Sequence, residues 1–277
     1  MSSDLSFLGD LRRRVRLAGK GPRGITVVGH TLYAAEYFSD SVATVELDAE
    51  AKGKTGSIPL GPAPEPTQVR RGEMLFHDAD LCFQRWQSCA SCHPDARADG
   101  LNWDLLNDGL GTPKNTRSMV WAHRTPPAMS LGVRETAETA VRAGIQHIQF
   151  VARPEADAAA IDAYLKSLEP LPSPYATDNQ RGKVVFVKAG CRECHAPPLY
   201  TSLKSYDVGT GTGREAGRAF DTPALVELWR TGPYLHDGRA ATLDEVLTRF
   251  NPGDRHGRTS TLSAAELADL VAFLLSL

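Results

Sequence analysis

The 277-residue sequence has no apolar run long enough to cross a membrane. Its longest, residues 270–277, falls far short of the roughly 20 residues that a spanning helix needs. It also lacks an excess of one charge, since 31 basic and 33 acidic residues leave a formal net charge of −2. This balance argues against general binding to nucleic acid or to an anionic membrane. Residues 1–10 lack the basic and apolar regions of a secretory signal.

Cysteine is scarce, yet four of the five cysteines belong to two Cys-x-x-Cys-His motifs. Two thiols at this spacing can reach the two vinyl groups of one porphyrin, and the adjacent histidine then ligates the iron. The sequence therefore predicts two covalently bound haem c groups, here called haem one and haem two. Their attachment residues are Cys89, Cys92 and His93 for haem one, and Cys191, Cys194 and His195 for haem two.

Other uses of these cysteines fit less well. A zinc site needs four ligands close in space, whereas the two pairs lie about a hundred residues apart. A thioredoxin-like redox pair is disfavoured, because no βαβ pattern surrounds either motif. Cys82 is left over, and we expect a buried structural thiol, with a redox role as the alternative. Bacteria attach haem c outside the cytoplasmic membrane, so we expect a periplasmic protein whose export leader is absent from this sequence.

The N-terminal segment reads as a three-strand meander. Residues 24–29, 31–37 and 41–47 are rich in β-branched and aromatic residues and are separated by turn residues. The run L-Y-A-A, followed by D-S-V, resembles one blade of the YVTN-type β-propellers. One blade cannot bury both of its faces alone. The segment is therefore either a propeller remnant or a small sheet packed on the next domain.

Two proline-rich stretches, at residues 61–66 and 168–174, mark domain boundaries, because each proline fixes φ and removes a donor. An R-G-x-x-x-F helix pattern follows each stretch and leads into a cysteine motif, which indicates an internal repeat. The predicted fold is mainly α, with two tandem cytochrome c-like haem domains after a short β-meander. The predicted domains are residues 1–60, 67–170 and 175–277.

The ligand on the opposite face of each iron decides the function. A sixth protein ligand favours electron transfer, whereas an open face lets peroxide reach the iron. All four methionines precede residue 130, so haem two has no methionine ligand from its own domain. The candidates are His236 and His256 for haem two, and His123, Met129 and His147 for haem one.

Residues 69–277 resemble the bacterial dihaem cytochrome c peroxidases and the related MauG enzymes. The strongest match is F-D-T-P-A-L at 220–225, T-G-P-Y-L-H-D-G at 231–238 and T-L-D-E at 242–245. The first domain matches more loosely, with K-N-T-R-S at 114–118 for the family's R-N-x-P-S. The resemblance implies that haem two accepts electrons from a small cytochrome c or cupredoxin, and that haem one reduces hydrogen peroxide. A homodimer is a further possibility.

The resemblance also implies a calcium ion between the two domains. Carried over to this sequence, its ligands are the Asn115 side chain and the Thr231 and Pro233 carbonyls. Oxygen ligands of this kind suit a hard cation. The alternative is that Asn115 is an ordinary turn residue.

Three departures from the family bear on function. Phe250 stands where the peroxidases have the methionine ligand of haem two, so we expect His256 in that role. Residues 105–111 hold no histidine where the family has its switchable ligand, and Met129-Ser130-Leu131 replaces the tryptophan between the haems. The family's distal acid falls near residues 144–149, which makes His147 a sixth ligand or a catalytic acid–base group.

We therefore expect a periplasmic peroxidase-like dihaem oxidoreductase with no membrane span. Two alternatives stay open. One is a non-catalytic electron carrier in which His147 and His256 complete both irons. The other is the haem module of a larger propeller protein.

Overall fold

The structure is a computed structural model that describes residues 13–48, 53–62, 65–106, 109–175 and 179–277. The chain divides between Pro66 and Thr67 into two compact units. The missing signal at 1–10 lies outside the described residues, as do residues 63–64 of the first proline-rich stretch and residues 107–108 of the stretch without a histidine.

The first unit contains a four-stranded antiparallel sheet in the order β1-β2-β3-β4. The sequence predicted only three strands, because β4 has a single large apolar residue, Ile58, and no clear alternation. Its strand conformation comes from pairing with β3, where Val42 lies opposite Ile58. The strands are β1 (Pro22–Val28), β2 (Thr31–Glu36), β3 (Ser41–Glu46) and β4 (Thr55–Pro59).

Helices make up most of the regular structure of the second unit. Two short antiparallel strand pairs also occur there, β5 (Asn102–Trp103) with β6 (Lys114–Asn115), and β7 (Ser205–Tyr206) with β8 (Phe220–Asp221). None of the helices in the described part of the chain has the length and hydropathy needed to cross a membrane. The α-helices are α1 (Gln68–His77), α2 (Cys89–Cys92), α3 (Ala137–His147), α4 (Glu155–Lys166), α5 (Gln180–Lys188), α6 (Leu243–Leu247) and α7 (Ala264–Leu275).

The two R-G-x-x-x-F helices make the same kind of contact. Helix α1 packs on α4 and α5 packs on α7, and each crossing occurs at the glycine of the pattern. A Cβ on Gly72 would lie 1.8 Å from the Ala160 carbonyl oxygen, and one on Gly182 would lie 2.1 Å from that of Asp269. Glycine therefore lets both helix pairs approach closely.

Each helix pair has its own hydrophobic core, built around the phenylalanine of the pattern. Phe76 packs with Ile161 and Leu165 in one core, and Phe186 packs with Leu270 in the other. Helix α7 begins with a capping box between Ser263 and Glu266. Cys89 packs against the first core and Cys191 against the second, so each core holds one cysteine motif.

Candidate haem sites

The first cysteine motif forms the short helix α2, and His93 ends it. The His93 amide donates to the Cys89 carbonyl at 3.0 Å, which turns the imidazole away from the helix. Its Nδ1 lies 3.1 Å from the carbonyl oxygens of both Arg97 and Arg117. A nitrogen between two acceptors must carry the hydrogen, so Nε2 keeps its lone pair. Burial lowers the pKa of His93, which keeps the ring neutral.

The second motif repeats this arrangement. The His195 amide donates to the Cys191 carbonyl at 2.8 Å, and His195 Nδ1 lies 3.0 Å from the Tyr200 carbonyl oxygen. The backbone of Pro223, which has only a carbonyl to offer, acts to raise the pKa of the ring. Burial lowers the pKa of His195 as well. Both proximal histidines therefore present a neutral Nε2, the form that ligates iron.

Burial raises the pKa of thiols in both motifs. The pKa of Cys89 rises to about 12 and that of Cys191 to about 11. Within the described ranges, no group of three or more Cys, His, Asp or Glu is arranged to hold a metal ion.

His256 lies opposite His195, with ring centroids 6.4 Å apart and planes inclined by 45°. An iron with metal–imidazole bonds of about 2 Å on either side fits between two rings at this separation. Burial and then the neighbouring His195 lower the pKa of His256 to about 4. The ring is therefore neutral and available as a ligand. His195 and His256 are the residues that would hold the iron of haem two.

The loop that carries His256 is held by Asn251. The buried Asn251 side chain accepts from the His256 amide at 2.7 Å and donates to the Gly257 carbonyl and to Thr259 Oγ1, both at 2.8 Å. Gly257 has φ +91, and a Cβ there would lie 3.6 Å from Cys191 Sγ. The amide side chain and the glycine thus bring the loop against the second cysteine motif.

The other histidine candidates are engaged elsewhere. His236 stacks on Phe220 with ring centroids 4.0 Å apart, and its Nε2 lies 3.3 Å from Glu215 Oε2. His123 Nε2 lies 3.0 Å from Asp162 Oδ1. Both are buried side chains with acidic partners, which is the ordinary role of a core histidine.

A small cavity lies beside Cys89. Its wall includes Ile145, Ile161 and Gln149. Gln149 is only 6% exposed, and its Oε1 has no hydrogen-bond partner in the described part of the chain. His147 is exposed at the end of α3 and is not part of this wall. Sequence reasoning missed Gln149, although it lies in the same 144–149 stretch.

The predicted calcium ligands come together in part. The buried Asn115 side chain donates through Nδ2 to the Pro233 carbonyl, two residues after Thr231. Asn115 Oδ1 has no partner among the described residues. The calcium site stays a prediction.

Comparisons with known proteins agree with this chemistry. The family model described as di-haem cytochrome c peroxidase matches residues 66–181. Hydrazine synthase subunit gamma of Kuenenia stuttgartiensis is 31% identical over 76% of this chain and 77% of that protein. The methylamine utilization protein MauG of Methylorubrum extorquens is 25% identical over 76% of this chain and 77% of that protein.

A solved structure extends the likeness to the fold. A chain of hydrazine synthase from Kuenenia stuttgartiensis superposes with a TM-score of 0.72 and 26% identity, and it covers 80% of this chain and 98% of that chain. The similarity therefore extends well beyond the two cysteine motifs.

Proposed function

Because the chain belongs to the family of di-haem cytochrome c peroxidases and MauG, we propose that it is a peroxidase-like dihaem oxidoreductase. It takes electrons from a small cytochrome c or cupredoxin and reduces hydrogen peroxide or a similar oxidant. The observation that carries this proposal is an asymmetry between the two sites. His195 has His256 opposite it, whereas no imidazole in the described part of the chain is paired with His93 in this way.

The residues of both sites fit a covalent haem c. Cys89, Cys92 and His93 would hold haem one, and Cys191, Cys194, His195 and His256 would hold haem two. When bound, these groups supply one-electron chemistry at iron. We assign haem one to residues 67–170 and haem two to residues 175–277, and we place the protein in the periplasm.

The chain itself must deliver protons, because reducing one hydrogen peroxide to two waters consumes two protons and two electrons. We propose that Gln149 orients the oxidant beside Cys89 through its buried amide. His147, exposed two residues earlier, exchanges protons with solvent through its ring nitrogens. Asn115 and the Pro233 and Thr231 carbonyls would hold a calcium ion, as the resemblance implies.

The pairing of His195 with His256 also favours a second candidate function, a non-catalytic electron carrier. A histidine-ligated iron passes electrons without binding substrate. In this case a sixth ligand, such as His147, would also bind the iron of haem one and leave no open face. A further alternative, that the chain is the haem module of a larger propeller protein, concerns the first unit. The four strands of that unit neither favour nor oppose this alternative.

One spectroscopic experiment separates the two functions. The ferric holoprotein should show one high-spin and one low-spin haem by electron paramagnetic resonance (EPR), and one equivalent of hydrogen peroxide should remove the high-spin signal. Two low-spin signals that ignore peroxide would leave the electron carrier as the function.

Substitution tests the ligands themselves. His256→Ala should convert haem two from low spin to high spin, because it removes the sixth ligand. The matched control, His236→Ala, removes a buried imidazole that stacks on Phe220 and should leave the haem two signal unchanged. An unchanged spectrum for His256→Ala would exclude His256 as a ligand.

A further inference from the structure

Arg117 occupies a special position in the internal repeat. The run Asn115-Thr116-Arg117 corresponds to Asp221-Thr222-Pro223, and the third residue of each run offers its carbonyl to a proximal histidine. The Arg117 oxygen lies 3.1 Å from His93 Nδ1, and the Pro223 backbone acts on the titration of the His195 ring. The family pattern R-N-x-P-S has proline at this place. This chain therefore keeps the carbonyl and adds a guanidinium.

The added guanidinium contacts the corresponding run of the other half. Arg117 Nη1 donates to Asp221 Oδ2 at 2.8 Å, over a separation of 104 residues in the sequence. The Asp221 side chain is only 3% exposed and that of Arg117 is 34% exposed. Such a charge-assisted bond, with one partner buried, holds its geometry more firmly than a surface ion pair.

The same two residues also hold the segment that replaces the family's tryptophan. Arg117 Nη1 donates to the Met129 carbonyl at 3.0 Å, and the Asp221 amide donates to the Ser130 carbonyl at 2.9 Å. Arg117 and Asp221 therefore join three segments of the chain. These are the run that contains Arg117 itself, the run at 221–223 and the loop at 129–130.

We propose that Arg117 and Asp221 are positioning residues that couple the two proximal histidines to each other. The connection runs from His93 to the Arg117 carbonyl, through the guanidinium to Asp221, and along two backbone steps to Pro223 and His195. It provides a path of covalent bonds and polar contacts where the family uses an aromatic ring. With both haems bound, these residues would support transfer of one electron from haem two to haem one, with no proton transferred and no bond changed.

This inference rests on the haem assignment of the proposed function, and the test keeps the two apart. Haem content is measured first in the full-length protein, by the absorption of its alkaline pyridine complex. Fewer than two haems per wild-type chain would contradict the assignment itself. With two haems present, the ferric EPR spectrum and the redistribution of one added electron between the haems are then compared among variants.

The informative variants are Arg117→Gln, Asp221→Asn and Arg117→Pro. Arg117→Pro introduces the family residue and keeps the carbonyl, so it removes the ion pair and the bond to the Met129 carbonyl but not the acceptor of His93. Asp221→Asn is isosteric and folds even if a larger change is not tolerated. The matched control is Arg142→Gln, since Arg142 is also 34% exposed and pairs with the 6%-exposed Asp162 but contacts neither proximal histidine.

We expect all three variants to shift the axial-ligand signals of both haems and to slow the redistribution of the electron. The double variant Arg117→Gln/Asp221→Asn should shift them no further than either single change, because both remove one interaction. Arg142→Gln should behave as wild type. Wild-type spectra in Arg117→Pro and Asp221→Asn, or a shift confined to haem one, would overturn the proposal.

Discussion

Glu227 is a fully buried carboxylate, 0% exposed, whose replacement should strongly destabilise the second unit. Arg97 donates to it through Nε at 2.8 Å and Nη2 at 2.7 Å, and the Leu171 amide donates at 2.7 Å. The Arg97 guanidinium is itself only 9% exposed. Neither charge can turn to water if the other is removed.

The magnitude follows from this burial. Removing one partner of a buried ion pair costs about 3–5 kcal/mol, because the other charge stays buried and uncompensated. For a unit of this size that corresponds to a fall in Tm of roughly 6–20 °C. We expect this fall for Glu227→Ala, measured by circular dichroism during heating of the holoprotein. The double variant Arg97→Met/Glu227→Leu should recover much of the loss, since an apolar pair leaves no buried charge.

A matched control and a pH series make the test sharper. Glu155 also pairs with an arginine, Arg142, but its side chain is 71% exposed, so Glu155→Ala should cost less than about 1 kcal/mol.

Burial by itself raises the pKa of Glu227, but the bonds from Arg97 and the Leu171 amide outweigh it, and the net pKa is lowered. A carboxyl group whose pKa is lower in the folded protein stabilises the fold when the pH is above its pKa in the unfolded chain. That contribution is lost as the pH falls through its pKa in the folded protein.

The wild type should therefore lose Tm in acid more steeply than Glu227→Gln, which has no carboxyl to protonate. A fall in Tm of Glu227→Ala no larger than that of the Glu155 control would refute the reasoning. A double variant less stable than the single one would refute it as well.

Two further predictions concern packing and calcium. Gly72→Ala would place a Cβ 1.8 Å from the Ala160 carbonyl, so we expect the free energy of unfolding by denaturant to fall by at least about 1–3 kcal/mol. The control Gly144→Ala has open space around it and should be neutral or slightly stabilising. Equal effects of the two substitutions would contradict the close helix crossing. Chelating calcium should lower the Tm of the wild type but not of Asn115→Ala, and a chelator effect of the same size in both would remove Asn115 from the calcium site.

Much of the site follows from local sequence. The spacing in Cys89, Cys92 and His93 is itself the attachment geometry, because the residues involved are neighbours in the chain. The repeated R-G-x-x-x-F pattern likewise predicts two helices that resemble each other, and its glycine marks the closest approach of each helix pair. The comparisons confirm the resemblance to the dihaem peroxidases that the 220–245 signature indicates. The propeller-like origin of the first unit stays a prediction.

Other features were beyond local reasoning. Strand β4 has too little alternation to be recognised, and only its pairing with β3 makes it a strand. Gln149 looks like any polar residue near the end of a helix until the fold buries it beside Cys89. The distance between His195 and His256 likewise depends on the Asn251 side chain, which holds the loop that carries His256.

The sequence by itself determined which residues can carry haem, since the motif chemistry depends on covalent neighbours. Only the tertiary structure decided which charges meet. Arg97 reaches Glu227 across 130 residues of sequence, and Arg117 reaches Asp221 across 104. The physical reason is that an ion pair depends on the distance between two side chains after folding, and two halves with separate cores set that distance only when they pack together.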